Sequence, residues 1–411
     1  MTHRFPRKAL LAAVLCSALP AAACAAVPGN ARTEAAEASG DGILRVGLLL
    51  DNTGDNAFLN APQLAAAELA VREINAGGGH KGRPVELLPT TPGEDPAAQA
   101  NTFVRLKADV VVGPTDSSNA TPVIDILSRT RTPLISPANT AAGLSSAKSG
   151  GYYFRTAAAD VAQAPVLVKL AKEGGAARIS VMHQEGAYGK DVTAAVVRAA
   201  GEAGLDVGAT ASFKPGDAGS AAAEAGEGDG AVILVARDGA QGALAELNNA
   251  GVDGSRILLS DGAFARYGQG LAAKALDGAR AVVPGKLASA GFQARILEVD
   301  KGLRDMSFAA ETYDAVTLAA LAAAHAQDDA GRSIAANLIA VSGGSEAACT
   351  AYKECLAGLS GGGDINYDGE SGPVAFDANG DITSASFMVF AYGPDNNPAP
   401  TGSETAGRTG S

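Results

Sequence analysis

Short apolar runs alternate along this chain with longer stretches whose apolar positions recur every three or four residues. Ile43 to Leu50 reads as a strand. Pro62 to Ala76 reads as a helix, with Leu64, Ala67, Val71 and Ile74 on one face and Gly77 as its stop. Pro84 to Leu88 (strand), Asp95 to Lys107 (helix), Val110 to Val112 (strand), a further helix-like run and Leu134 to Ser136 (strand) complete a first series. The pattern then restarts. Ile179 to His183, Ala209 to Phe213, Ala231 to Val235 and Ile257 to Ser260 read as strands, with helices near Gly189 to Ala203 and Gly239 to Ala250. Strands separated by helices predict parallel sheets with right-handed crossovers, and two such series predict two α/β lobes with a ligand crevice between them. The last third departs from this. Ala310 to Ala326 is an Ala-rich helix carrying Glu311, Tyr313 and Asp314, and Glu346 to Leu356 reads as another helix. Gly372 to Phe376 and Ser384 to Tyr392 flank the turn-forming run Asp377 to Asp381, a hairpin or strand return, and the Gly, Ser, Thr and Pro-rich tail after Pro394 is expected to be disordered.

The stretch from Ala108 to Thr140 carries the first candidate chemistry. Val110 to Val112, ended by Gly113-Pro114, suits a strand buried on both faces, and Asp116 and Ser117 stand where they cap the next helix. Unpaired N–H groups at such a helix start accommodate a small carboxylate without a basic side chain. Leu134 to Ser136 would deliver Ala138 and Thr140 to the same sheet edge.

Composition narrows the setting. A length of 411 residues gives room for two or three domains, and 47% hydrophobic residues suffice for globular cores. The formal charge is −12, and the first 23 residues carry Arg4, Arg7 and Lys8 without an acid, so the remainder is more acidic still. That balance argues against binding a phosphate backbone, so no nucleic-acid partner is expected. A basic start, the apolar run Ala9 to Ala18 and the small residues Ala21-Ala22-Ala23 before Cys24 have the layout of an export signal. Cleavage before Cys24 and lipidation of its sulfur would tether the mature protein, with ordinary cleavage after small residues as the alternative. Ala25 to Asp41 then reads as a flexible tether. No later apolar run reaches the roughly 20 residues that span a bilayer.

Several motifs together resemble the type I periplasmic solute-binding proteins of ABC importers, the group that includes leucine/isoleucine/valine-binding proteins. They are Arg45 to Leu49 before Thr53-Gly54, Ala70 to Gly78, Val112-Gly113-Pro114 with Ser117-Ser118, Ile135 to Thr140, Tyr188-Gly189, Glu311 to Val316, and Ser371-Gly372-Pro373 before Phe376-Asp377. The resemblance implies two doubly wound parallel-sheet lobes joined by three crossovers. Its boundaries would be a signal at 1–23, a tether at 24–41, one lobe at 42–157 and 286–382, the other at 158–285 and 383–393, and a tail at 394–411. It implies that Ser117, Ala138 and Thr140 meet the ligand's carboxylate and ammonium, and that Tyr188 covers the ligand from the second lobe. A gapless alignment puts Gly239 at the family's ammonium-pairing acid, one residue from Asp238. Either a small shift lets Asp238 pair with an ammonium, or the ligand is not an α-amino acid.

The same residues have plainer readings. Ser117 also suits a simple helix cap, Tyr188 suits packing, Asp238 and Asp261 suit solvated loop ends, and Phe58 suits loop packing as well as closure over an apolar ligand. Cys349 and Cys355 are expected to form a disulfide in an exported protein; on a straight helix they would stand about 9 Å apart, beyond the roughly 7 Å limit, so the segment between them must bend. Asp364 to Gly369 opens like a calcium loop, but Ala375 stands where a bidentate Glu is needed, so no metal is expected. No motif that positions a nucleophile is present, and no cofactor is expected. The leading expectation is an exported, monomeric solute-binding component that presents a small ligand, most readily a branched-chain or other aliphatic amino acid, to an ABC permease, with membrane contact through its lipid anchor only. The alternative is a sensor component that binds an amide or short carboxylate without transport; an enzyme on the same scaffold is not favoured.

Overall fold

The structure, a computed structural model, describes residues 36–343, 348–360 and 365–407, with Met1 and Ala31. Cys24, the rest of the expected signal and Asp364 lie outside the described residues. In the first lobe β1 (Arg45–Leu48), α1 (Asn60–Ala76), β2 (Glu86–Leu87), α2 (Pro96–Arg105), β3 (Val110–Val112), α3 (Ser117–Arg129), β4 (Leu134–Ser136) and β5 (Tyr153–Arg155) follow in order. Local chemistry sets their ends. The Asp95 side chain accepts a hydrogen bond from the Ala98 N–H and Pro96 opens α2, while Gly77 terminates α1. The second lobe runs α4 (Ala164–Glu173), β6 (Arg178–Gln184), α5 (Ala187–Ala203), β7 (Asp206–Phe213), α6 (Gly219–Gly226), β8 (Ala231–Val235), α7 (Ala240–Asn249), β9 (Ile257–Leu259) and β10 (Arg280–Pro284). The chain then supplies α8 (Ala290–Val299), α9 (Ala309–Ala326) and α10 (Gly331–Ser342) to the first lobe.

Both sheets have the same doubly wound strand order. The first is β2-β1-β3-β4-β5, all parallel; the second contains β7-β6-β8-β9-β10, also parallel. Strand alternation sorts the core. Val110 and Val112 pack with α1 and α9, whereas Val111 packs with α2 and α3, so β3 is buried on both faces as its unbroken apolar run implies. In the second lobe Val232 and Leu234 face α6 and α7, while Ile233 and Val235 face α4 and α5.

The end of the chain differs from expectation. β11 (Ala348–Cys349), α11 (Tyr352–Ser360), β12 (Asn366–Gly369) and β13 (Gly372–Pro373) form a small appendage on the first lobe. Over the described residues 348–356, the helix predicted from Glu346 to Leu356 is instead a strand and a helix joined by a bend, which brings Cys349 and Cys355 to a Cα separation of 5.3 Å in a disulfide. β14 (Ser384–Tyr392) and β15 (Pro398–Gly407) extend the second sheet in antiparallel pairing next to β10. The tail expected to be disordered is therefore, over Pro398–Gly407, an edge strand. Pro, Gly and Thr weaken it as a central strand, yet an edge strand needs only one partner, and its backbone covers the open edge of β14. The tether also becomes fixed before its expected end. The N–H groups of Ser39 and Gly40 donate to Asp328, and those of Asp41 and Gly42 donate to Asp329.

The chain passes between the two sheets three times, after β5, after β10 and before β14. Arg155, at the end of β5, is wholly buried and joins the first and last of these passages. Its Nε donates to Asp381 (2.6 Å), one terminal nitrogen donates to the carbonyls of Asn139 (3.3 Å) and Ala141 (2.9 Å), and the other donates to Ser145 (2.7 Å). Replacing it with an apolar residue leaves the Asp381 charge and two carbonyls without their donors. Arg155→Leu is expected to lower unfolding stability by about 3 kcal/mol, read by urea denaturation; an unchanged midpoint would refute this role.

Candidate functional site

The carboxyl ends of β3 and β4 build one wall of the cleft. Gly113 carries φ +119, and a Cβ there would lie 2.4 Å from the Leu49 carbonyl oxygen, so only glycine fits between the adjacent strands. Beyond it the Asp51 carboxylate accepts from the N–H groups of Thr115 (2.7 Å) and Asp116 (3.1 Å) and from the Asn119 side chain (2.9 Å). The Asp116 side chain caps α3 by accepting from the Ser118 N–H (2.8 Å). Ser117 is left to face the neighbouring loop, where its Oγ accepts from the N–H groups of Thr140 (3.2 Å) and Ala141 (3.3 Å). Ser136 and Asn139 tie the two loops together through the Pro114 carbonyl, and the Tyr153 hydroxyl donates to Asn139. This wall is ordered by buried polar bonds before any ligand arrives.

The carboxyl ends of β6, β8 and β9 supply the opposite wall. The Tyr188 hydroxyl donates its one hydrogen to Asp261 (2.5 Å) and accepts from the Ser260 hydroxyl (3.0 Å) and the Gly262 N–H (3.1 Å). Gln163 donates from its side-chain amide to Asp261 (2.6 Å) and accepts the Asp261 N–H (3.0 Å). Asp238 does not enter the cleft. Gln184 accepts its N–H and donates to its carboxylate, which leaves Asp238 on the exposed surface. The neighbour Arg237, in the same bend after β8, points into the cleft instead. Its guanidinium carbon lies 4.3 Å above the Tyr188 ring centroid. Its Nη2 donates to the Asp160 carboxylate oxygens at 3.1 and 2.9 Å and lies 3.4 Å from the Thr140 hydroxyl.

Asp160 lies on the first passage between the lobes, and its N–H donates to the Thr140 carbonyl (2.7 Å). Only 4% of it is exposed. Burial pushes its carboxyl up to about 6, the Asp261 carboxylate adds to this, and the Arg237 guanidinium opposes it.

Two cavities of about 620 and 510 Å³ lie along the cleft, each of a size that suits a small ligand. Ser117, Asp160, Tyr188 and Arg237 line the first; Ala138, Thr140, Asp261, Lys286 and Glu311 line the second. The structure thus assembles five of the sequence-predicted residues: Ser117, Ala138, Thr140, Tyr188 and Asp261. Asp238 and Phe58 line neither cavity. Phe58 belongs to a short 3-10 turn, Gly54–Leu59, and is 53% exposed. Among the charged residues of the cleft, Arg237 obeys the same strand-end rule as Asp238, Asp160 follows β5, whose Tyr-Phe-Arg run lacks the unbroken aliphatic pattern of β3, and Glu311 stands in the sequence as part of a helix and of the Glu311 to Val316 motif; the sequence marks none of them as a site residue.

Glu311, the third residue of α9, has its carboxyl pushed up to about 7, chiefly by burial and further by Asp314, against its own N–H and Lys286. A carboxyl raised on folding contributes stability below its unfolded value, and that contribution is lost as pH rises through the folded one. Glu311→Gln is therefore expected to unfold a few degrees higher than the parent at pH 8, with the difference disappearing near pH 4; a pH-independent difference would contradict it.

Comparison with known proteins places this geometry. The periplasmic binding protein family profile matches residues 43–396. The chain is 31% identical over 178 residues to Leu/Ile/Val-binding protein homolog 3 of Brucella melitensis, covering 42% of this chain and 48% of that protein. It is 31% identical over 180 residues to the leucine-, isoleucine-, valine-, threonine- and alanine-binding protein of Pseudomonas aeruginosa, again covering 42% and 48%. The chain thus spans about half the length of these curated relatives. In fold it is similar to the isoleucine-bound branched-chain amino acid transporter substrate-binding protein of Streptococcus pneumoniae (TM-score 0.60, 20% identity, covering 89% of this chain and 100% of that one). It is likewise similar to a 4-hydroxybenzoate-bound ABC transporter solute-binding protein of R. palustris (TM-score 0.60, 15% identity, covering 88% and 96%). With a matched profile over most of its length and the two-lobed architecture that the profile implies, the chain belongs to the periplasmic binding protein family.

Proposed function

We propose that this protein is the extracytoplasmic solute-binding component of an ABC importer, closing its two lobes on a small polar ligand, most readily a branched-chain or other aliphatic amino acid. The observation that carries the reading is the pairing of walls: the strand-end loops of two sheets of identical strand order face each other across ligand-sized cavities. On the first wall, the Ser117 hydroxyl, whose oxygen accepts from the N–H groups of Thr140 and Ala141, keeps its own hydrogen as a neutral donor at the start of α3, suited to a carboxylate. Tyr188 and Asp261 meet the ligand from the second wall. A ligand that touches both walls only when they approach favours closure by its differential affinity, and no bond is made or broken. The permease partner, export, the anchor at Cys24, the monomeric state and the lobe limits at 157/158, 285/286 and 382/383 belong to the same proposal. Among the described residues no helix is long and apolar enough to cross a membrane.

Thermal unfolding of the protein, stripped of carried-over ligand by partial unfolding and dialysis, tests this against amino acids, amides and short carboxylic acids. A ligand at about 100 times its Kd is expected to stabilise by about 2.7 kcal/mol and raise the midpoint by a few degrees. Leucine, isoleucine or valine should give the shift, and Ser117→Ala should reduce it by about tenfold in affinity. A shift with amides or carboxylates and none with amino acids would reject the amino-acid reading.

A further inference from the structure

No described residue lines both cavities of the cleft, yet the two meet along one seam. On the first wall Thr140 lines the second cavity and its chain neighbour Ala141 the first. On the first passage between the lobes Ala158 lines the second and Asp160 the first. On the second wall Tyr188 lines the first and Asp261 the second, and the Tyr188 hydroxyl joins them by its 2.5 Å hydrogen bond. Arg237 meets this seam at all three places. Its guanidinium carbon lies 4.3 Å over the Tyr188 ring, and its Nη2 donates to Asp160 at 2.9 and 3.1 Å and reaches the Thr140 hydroxyl at 3.4 Å.

We propose that Arg237 is a partition: its guanidinium closes the passage between the two cavities, confines a ligand to one of them, and so sets the greatest length of ligand that the protein accepts. This rests on the solute-binding reading above and narrows it to compact solutes of about one amino acid, against dipeptides and longer chains.

The volumes suit a length filter. At about 620 and 510 Å³ each cavity holds a small ligand without the other, and a ligand continuous through both has to pass where Arg237 stands. Beyond the partition the first cavity is lined by Ile124 and Leu144, which offer an apolar surface to a second side chain once the passage is open. The guanidinium also has the right shape for the place, a planar group held against a ring by its face and to a carboxylate by its edge.

Of the groups at the seam, Arg237 is the one whose removal opens it. Asp160 is 4% exposed, and its N–H is bonded to the Thr140 carbonyl. The Tyr188 hydroxyl is held by Asp261, Ser260 and Gly262. The Arg237 side chain is 49% exposed and rises from a backbone whose N–H is fixed by the Gln184 amide oxygen at 2.8 Å, so shortening it leaves the surrounding backbone where it is.

Two truncations separate bulk from charge. Arg237→Ala loses both the ion pair with Asp160 and the plug, whereas Arg237→Met loses the ion pair but keeps a long stem over Tyr188. Calorimetry on the parent and both variants measures leucine, leucyl-leucine and the straight-chain carboxylates from propanoate to decanoate. The parent and Arg237→Met should bind carboxylates up to the same chain length and prefer leucine to leucyl-leucine. Arg237→Ala should reduce that preference about tenfold or more and accept longer carboxylates. Because both variants leave Asp160 without its counter-charge, each is also made with Asp160→Asn, which removes the buried carboxylate and supplies the comparison where a single variant folds poorly. The proposal is overturned if Arg237→Ala gains no longer ligand, if the parent binds leucyl-leucine as tightly as leucine, or if Arg237→Met changes the preference as much as Arg237→Ala. A parent that binds carboxylates but no amino acid, together with a longer chain limit in Arg237→Ala, would refute the amino-acid reading and leave the partition standing.

Discussion

A guanidinium buried at the end of the first sheet holds the cleft in register. Arg155 bonds at once to Asp381 on the last passage between the lobes, to two carbonyls of the Thr140 loop and to Ser145 beyond it. An ion that large leaves water only when nearly every donor finds an acceptor, so its position dictates where those acceptors lie. The loop bearing Ala138 and Thr140, the first passage bearing Asp160 and the third passage are thereby fixed to one point. The first wall of the cleft is in this way tied together within itself.

That rigidity has a chemical counterpart on the same wall. Asp51, Ser136 and Asn139 spend their polar atoms on the backbone of the two strand-end loops, while Ser117, Thr140 and Asp160 face the cleft. The second wall follows the same logic, with Gln163, Tyr188, Ser260 and Asp261 bonded among themselves. Between the two walls Arg237 is the contact with an exposed and flexible stem. Interactions made across such a cleft only when it is narrow bias the population toward closure.

What could be read from the chain was whatever local pattern controls. The apolar run Val110 to Val112 was legible as a doubly buried strand because both its faces are covered, and Leu134 to Ser136 and Ala231 to Val235 were legible for the same reason. β5, Tyr-Phe-Arg with a charged end, and β15, rich in Pro, Gly and Thr, carried no such signal, because what makes them strands is a neighbour already in place. The disulfide shows the same division: two cysteines in an exported chain announced a bond, but the bend between Cys349 and Cys355 follows from packing the appendage on α9 and α10.

The site divides along that line too. Ser117, Ala138, Thr140, Tyr188 and Asp261 were legible because each follows a strand or opens a helix at the carboxyl edge of a sheet, and topology alone brings those edges together. Asp160, Arg237 and Glu311 were not. Whether residue 237 or 238 faces inward depends on the direction in which the backbone leaves β8 and on the Gln184 amide that gathers Asp238 to the outside. Asp160 and Arg155 gain their roles from residues more than 70 positions away, Arg237 and Asp381. The sequence by itself determined two α/β lobes, their order and the loops that meet. Only the tertiary structure decided which charges those loops confront, because burial and long-range pairing are properties of the packed chain and not of any window along it.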